Sequence, residues 1–224
     1  MLTLIRKELR SSAWVVALGL LAFGWLFVEM TGTPTWFGRS NQGHQRLALG
    51  VIWYWFIAMG FAGLLGLMMA GEDSRSGTWS FVLFRPFSRR RYVGAKLIVG
   101  VALVVLLSGG SAFAFMTWAA KPGRWLVPWD WSYAQIPVET MGWSVVVFLG
   151  GFLSSMRLAS WWWSRLWPLA ATVLLGLLFG LACLAETFPE SITPSPVQYW
   201  GLCVVFSAAL TSLILHASEE RDFS

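Results

Sequence analysis

Long runs without charge alternate along the chain with short polar stretches, and the apolar runs show no helical stripe, being apolar on every face. A helix that is apolar all round belongs inside protein or in lipid. About 20 helical residues cross a hydrocarbon core, and six runs approach or exceed that length: 13–30, 47–70, 93–119, 140–156, 166–185 and 197–217. The polar chain between them is too short to cover six apolar rods in water. The predicted fold class is an all-α integral membrane protein, with six transmembrane helices in a single transmembrane domain over residues 1–224. Ahead of the first run, residues 2–12 are amphipathic, with Leu2, Ile5 and Leu9 on one side and Arg6, Lys7 and Arg10 elsewhere. That pattern predicts a short interfacial helix feeding the first span.

Breakers separate the runs. Residues 31–46 hold Gly, Pro, Asn and Gln, and residues 186–196 hold three prolines. Residues 121–139 are dense in Trp and Pro, with Trp125, Trp129 and Trp131 suited to the headgroup level. A tight loop through Trp161, Trp162, Trp163 and Arg165 joins the fourth and fifth runs.

Composition agrees with the pattern: 57% of residues are hydrophobic and 12% charged, about half the charge of a soluble domain. The net charge of +5 sits in the short segments between spans, which points to membrane orientation and not to nucleic acid. With the N-terminus inside, twelve Lys and Arg fall on the cytoplasmic side and four on the other. This positive-inside bias predicts an even number of spans, both termini in the cytoplasm, and residence in an inner or plasma membrane.

Several chemistries are disfavoured. Charged residues are missing from the predicted middle of every span, Glu29 at the outer end of the first being the nearest exception. Proton relays and ion pathways need such groups. His44 and His216 belong to no HExxH cluster, and no GxSxG elbow occurs. His216 could meet a serine such as Ser108 or Ser111, but it reads better as an interfacial histidine. Cys183 and Cys203 form no CxxC pair and suit apolar packing. Leu107 to Ser111 spells LSGGS, close to an ATPase signature, yet it lies inside an apolar run and no GxxxxGK[ST] loop accompanies it. Its small residues suit close helix packing. The chain is read as a non-enzyme with no metal or cofactor of its own.

Residues 71–92 are the most charged stretch. Glu72 and Asp73 suit the first turn of a helix, against its positive dipole end. Trp79, Phe81, Val82, Leu83 and Phe84 make an apolar patch too short to span, Pro86 forces a break, and Arg89, Arg90 and Arg91 lead into the third span. The order Glu72, Gly77, Thr78, Leu83, Pro86, Ser88, Arg89 and a downstream Lys96 resembles the first cytoplasmic loop of ABC type-2 permeases, the membrane subunits of ATP-binding cassette exporters. The opening Glu72-Asp73-Ser74-Arg75 departs from that family's usual Glu-Arg pair. Leu4-Ile5-Arg6-Lys7-Glu8-Leu9 is similar to its N-terminal elbow helix, and Glu220-Arg221-Asp222-Phe223 to its charged tail.

The resemblance implies a permease subunit that couples ATP hydrolysis by a separate ATPase to movement of an amphipathic substrate. It implies two ATPase copies that bind ATP and Mg, and a second permease copy, identical or related. The loop would contact the ATPase through Glu72, Asp73, Arg75, Ser76, Gly77, Thr78, Phe81, Leu83, Arg85 and Pro86. Arg6, Lys7, Arg10, Arg89, Arg90, Arg91 and Lys96 would anchor it at the membrane surface. The alternative is a non-transporting scaffold or assembly factor that recruits a soluble partner through the same basic loop.

Overall fold

A computed structural model of the chain describes residues 2–31, 43–75, 89–121, 135–156, 162–184 and 196–220. The described residues are helical, with no strand among them. The helices are α1 (Leu2–Ser11), α2 (Ala13–Thr31), α3 (Gly43–Arg75), α4 (Arg89–Val104), α5 (Gly110–Ala119), α6 (Gln135–Met156), α7 (Trp162–Leu184) and α8 (Pro196–Glu220). A five-residue π turn, Val105–Gly109, sits between α4 and α5. Gly109 and Gly110 keep right-handed helical angles on either side of that junction, so α4, the turn and α5 form one rod.

Five helical stretches among the described residues are long and apolar enough to cross a membrane: Ala13–Thr31, Gly50–Gly71, Arg90–Ala119, Pro137–Met156 and Val197–Ser218. A shorter apolar stretch, Arg165–Leu178, lies within α7. This is consistent with a multi-pass membrane protein. Leu18, Leu21, Phe56, Leu64, Phe113 and Val204 are exposed, as expected where lipid replaces water.

Helix boundaries differ from the expected spans in an informative way. Helix α3 runs five residues past residue 70, and α6 starts five residues ahead of residue 140. In the first turn of α6, Gln135 Nε2 donates to Glu139 Oε1 at 2.8 Å, and the Tyr199 hydroxyl of α8 donates to the Glu139 carbonyl at 2.8 Å. Those bonds let polar residues extend the helix beyond its apolar run. Glu72 and Asp73 fall in the last turn of α3, not in a first turn as expected, because the helix continues to Arg75.

Helix α6 is the hub. Its apolar stretch is 83% buried, against 22–44% for the other four. Trp143, Val146, Val147, Phe148 and Phe152 are almost fully enclosed. Helix α3 crosses it along a glycine seam. A Cβ on Gly151 would lie 2.7 Å from the Gly63 carbonyl oxygen, and one on Gly66 would run into the Phe148 carbonyl and lie 2.8 Å from the Phe152 nitrogen. Backbone cannot yield as a side chain does, so only glycine permits this approach.

Polar bonds join α6 to α7. Arg165 donates to the Ser155 carbonyl at 3.3 Å, the Leu169 N–H to Ser154 Oγ at 2.9 Å, and Trp143 Nε1 to the Thr172 carbonyl at 3.0 Å. Pro168 lies inside α7, where a proline disturbs the helical ladder. The Ser154 hydroxyl meets the N–H of the next residue. Gly176 makes room for the Trp143 ring and Gly150 for the Thr172 side chain.

Apolar stretches consecutive in the sequence run in alternate directions, so α3 and α6 lie parallel where they cross. Gly71 of α3 faces Ser155 of α6, and Glu8 meets Lys96 at that same end of the bundle. Met30 meets Gly50, and Glu139 meets Tyr199, at the opposite end. Gly66→Ala should cost about 1–3 kcal/mol by overpacking. Gly60→Ala, with no atom within 4 Å of the new methyl, should be neutral or stabilising by up to about 1 kcal/mol. Thermal unfolding of the two variants in one detergent checks the contrast, and equal effects would remove the seam from its central place.

Candidate functional site

Two features stand out, one at each end of the bundle. The first is a cavity walled by α2, α3, α5 and the start of α6. Phe23, Leu26, Phe27 and Met30 line it from α2 at the i, i+3, i+4, i+7 spacing of a single helix face. Ser111, Ala112, Phe115 and Met116 line it from α5 at i, i+1, i+4 and i+5, with Val51 and Tyr54 from α3. Its cavity volume is about 50 Å³, room for a few water-sized groups. Gly50 leaves room there for the Met30 thioether.

The π turn shapes this wall. Ser108, the fourth residue of the turn, is fully buried, and its hydroxyl donates to the Val104 carbonyl at 2.6 Å. The Ser108 carbonyl accepts both the Tyr54 hydroxyl and the Ser111 hydroxyl at 2.9 Å each. Extra residues of this kind often occur at functional positions in helices. Here the turn brings α3 to α5 and engages both hydroxyls that line the cavity with backbone. Gly109 of the LSGGS stretch packs against the Met141 sulfur, whereas Gly110 faces open space.

At the other end, Lys96 departs from its expected role as a headgroup anchor. Its side chain is 3% exposed and its ammonium lies 3.1 Å from the equally buried Glu8 carboxylate. The ammonium also donates to the Met69 carbonyl at 2.8 Å and sits 5.4 Å from the Tyr92 ring centre. Three elements converge on this cation: α1, the end of α3 and the start of α4. A buried lysine needs such partners, because desolvation without them is prohibitive. Glu8, Lys96 and Tyr54 are buried polar groups, each with a named partner.

Of the other expected anchors, Arg6, Lys7, Arg10, Arg90 and Arg91 are exposed. Arg89 opens α4, its side chain lying outside the described residues. Among the expected ATPase contacts, Glu72, Asp73 and Arg75 lie on the last turn of α3, and their side chains are likewise outside the description. Ser76, Gly77, Thr78, Phe81, Leu83, Arg85 and Pro86 fall outside the described residues altogether. Cys203 is buried in the core, and Cys183 lies on α7 with its side chain undescribed. Among the described residues, no three His, Cys, Asp or Glu side chains are grouped to hold a metal.

The Glu8–Lys96 pair was within reach of sequence. A lone acid inside a basic leader, and a lone lysine four residues into an apolar run, are opposite charges in places where each needs a partner. Compared with known proteins, the chain matches no family model and no curated sequence. Tyr54→Phe removes one of the two donors to the Ser108 carbonyl and should lower stability by about 1 kcal/mol. Chemical or thermal unfolding reads this directly, and an unchanged midpoint would mean that the bond does not help fix the cavity wall.

Proposed function

We propose that this chain is the permease subunit of an ABC exporter, with α7 serving as the sixth span and both termini on the cytoplasmic face. The reading rests on the resemblance of residues 72–96 to the first cytoplasmic loop of type-2 permeases. The observation that best supports it is the Lys96 contact set. The loop leaves from the end of α3 and returns at the start of α4, and Lys96 ties these two roots to each other and to α1. A short element between spans transmits force only if its roots do not move independently. Coupling of this kind needs an element with discrete positions, and a loop with pinned roots meets that requirement.

In this reading α1 is the elbow helix, and segment 72–85 rests in a groove on a separate ATPase. Closure of two ATPase subunits around ATP and Mg pushes the segment, and the two permease copies reorient. The substrate is amphipathic. Its apolar part suits the cavity of Phe23, Tyr54 and Phe115, whose wall offers contact area more than polar recognition. Exporters built this way draw their energy from outside the membrane, in keeping with spans that lack a chain of ionisable groups.

Ser80→Pro combined with Val82→Pro should break the coupling segment while sparing the spans. Stimulation of the partner ATPase by the permease should then fall to the level of the ATPase alone, with the permease still in the membrane. Unchanged stimulation would exclude the loop from coupling. A pull-down from native membranes that yields only a partner lacking a phosphate-binding loop would favour a scaffold.

A further inference from the structure

Helix α1 is docked by one face. Glu8 and Ser12, four residues apart, are buried, while Arg6, Lys7, Leu9 and Arg10 are exposed. The Ser12 hydroxyl and N–H both donate to the Glu8 carbonyl, at 2.6 and 3.0 Å, which closes the end of α1 onto the start of α2. On α4, Tyr92, Val93 and Lys96 are buried and Arg90 and Arg91 exposed. At 1.5 Å rise per residue, Arg90 and Arg91 lie within roughly 9 Å of Lys96 along α4. Arg6, Lys7 and Arg10 lie within about 3 Å of Glu8 along α1.

The Glu8–Lys96 contact consequently sets where five exposed bases from two helices stand relative to one another. Glu8 is paired with Lys96, and Arg6, Lys7, Arg10, Arg90 and Arg91 stand exposed beside the pair. Leu9 is 43% exposed and Trp14, at the start of the membrane-crossing stretch, is 50% exposed. Bases flanked by exposed apolar groups fit the boundary between headgroups and acyl chains; a freely dissolved anion would find no use for the apolar flank.

We propose that Arg6, Lys7, Arg10, Arg90 and Arg91 form one composite site for the headgroups of anionic phospholipids, and that the buried Glu8–Lys96 pair is the positioning element that assembles it. The proposal rests on this end of the bundle lying at a membrane surface and is independent of the ATPase. Without the pair, α1 carries its three bases on a helix with no fixed place beside α4. With it, both sets act on the same lipids, and each base near an anionic surface contributes about fivefold in affinity.

The test is thermal unfolding of the purified full chain in neutral detergent. It is titrated separately with phosphatidylglycerol, phosphatidylcholine and inorganic phosphate. Phosphatidylglycerol should raise the melting temperature in a saturable, salt-sensitive way, and the other two should not. Arg6→Gln with Arg10→Gln, and separately Arg90→Gln with Arg91→Gln, should each weaken the apparent phosphatidylglycerol affinity by about thirtyfold, at about fivefold per charge. Lys96→Met keeps all five bases and should weaken it comparably. If that variant shows no cooperative unfolding, Glu8→Gln, which removes the charge but keeps the shape, should weaken it several-fold. Equal response to the two lipids overturns the proposal, as does full reproduction by phosphate. So does either paired substitution without effect, or a folded Lys96→Met or Glu8→Gln variant with an unchanged titration. No ATPase is present in the measurement, so its failure and the failure of the exporter reading are separate results.

Discussion

Two helix backbones can touch only where neither carries a side chain at the crossing, and the meeting of Gly63 and Gly66 with Gly151 imposes that condition on this bundle. In lipid the hydrophobic effect does little to draw helices together, so close packing must supply the association. The seam does this by bringing α3 against α6, and α6 then becomes the helix around which α7 and α8 arrange themselves. Gly150, Gly176 and Gly142 repeat the device more gently, making room for the side chains of Thr172, Trp143 and Trp200. Flexible side chains can adjust there; a carbonyl at the α3–α6 crossing cannot. The remaining contacts depend on that crossing.

On this frame the polar contacts act as alignment marks. Ser154, Ser155 and Trp143 meet α7 at successive levels, and Tyr199 meets the first turn of α6. In these bonds at least one partner is a backbone group, so each fixes the sliding position of one helix along another. A bond of this kind adds only about 0.6 kcal/mol on average within a bilayer, and its greater consequence is register. The pair of Glu8 and Lys96 belongs in a separate class, because both members are charged and both are enclosed. Such a pair adds little net stability over a well-packed apolar one, yet it penalises every arrangement that separates its members.

Sequence revealed the rods and concealed the joints. Apolar runs place the helices because their length and uniformity follow directly from the hydrocarbon they must cross, and positive-inside counting predicts their direction. The ends were less legible: α6 starts ahead of its apolar stretch, where the Tyr199 hydroxyl bonds the Glu139 carbonyl from 60 positions away. The cavity was legible only as a set of aromatic and small residues, since the π turn around Ser108 has no periodic signature. Lys96 was read from its sign and its place near other bases. Burial reversed that reading, and the partner that permits it, Glu8, lies 88 positions earlier in a different helix.

The two ends of the bundle differ in what they can do. At the cavity end, α2 and α5 face each other across space, and the π turn separates α5 from the straight run of α4. That turn is held by Ser108, whose hydroxyl donates to the Val104 carbonyl and whose carbonyl accepts from Tyr54 and Ser111. At the Lys96 end, three elements share one buried ion and the approach of Gly71 to Ser155 closes α3 on α6. Displacement there means separating charges in an apolar setting, and the rods between the two ends are stiffened by the glycine seam. The two ends are therefore fixed by different means, one by a buried ion pair whose separation is costly and the other by hydroxyls that converge on a single carbonyl.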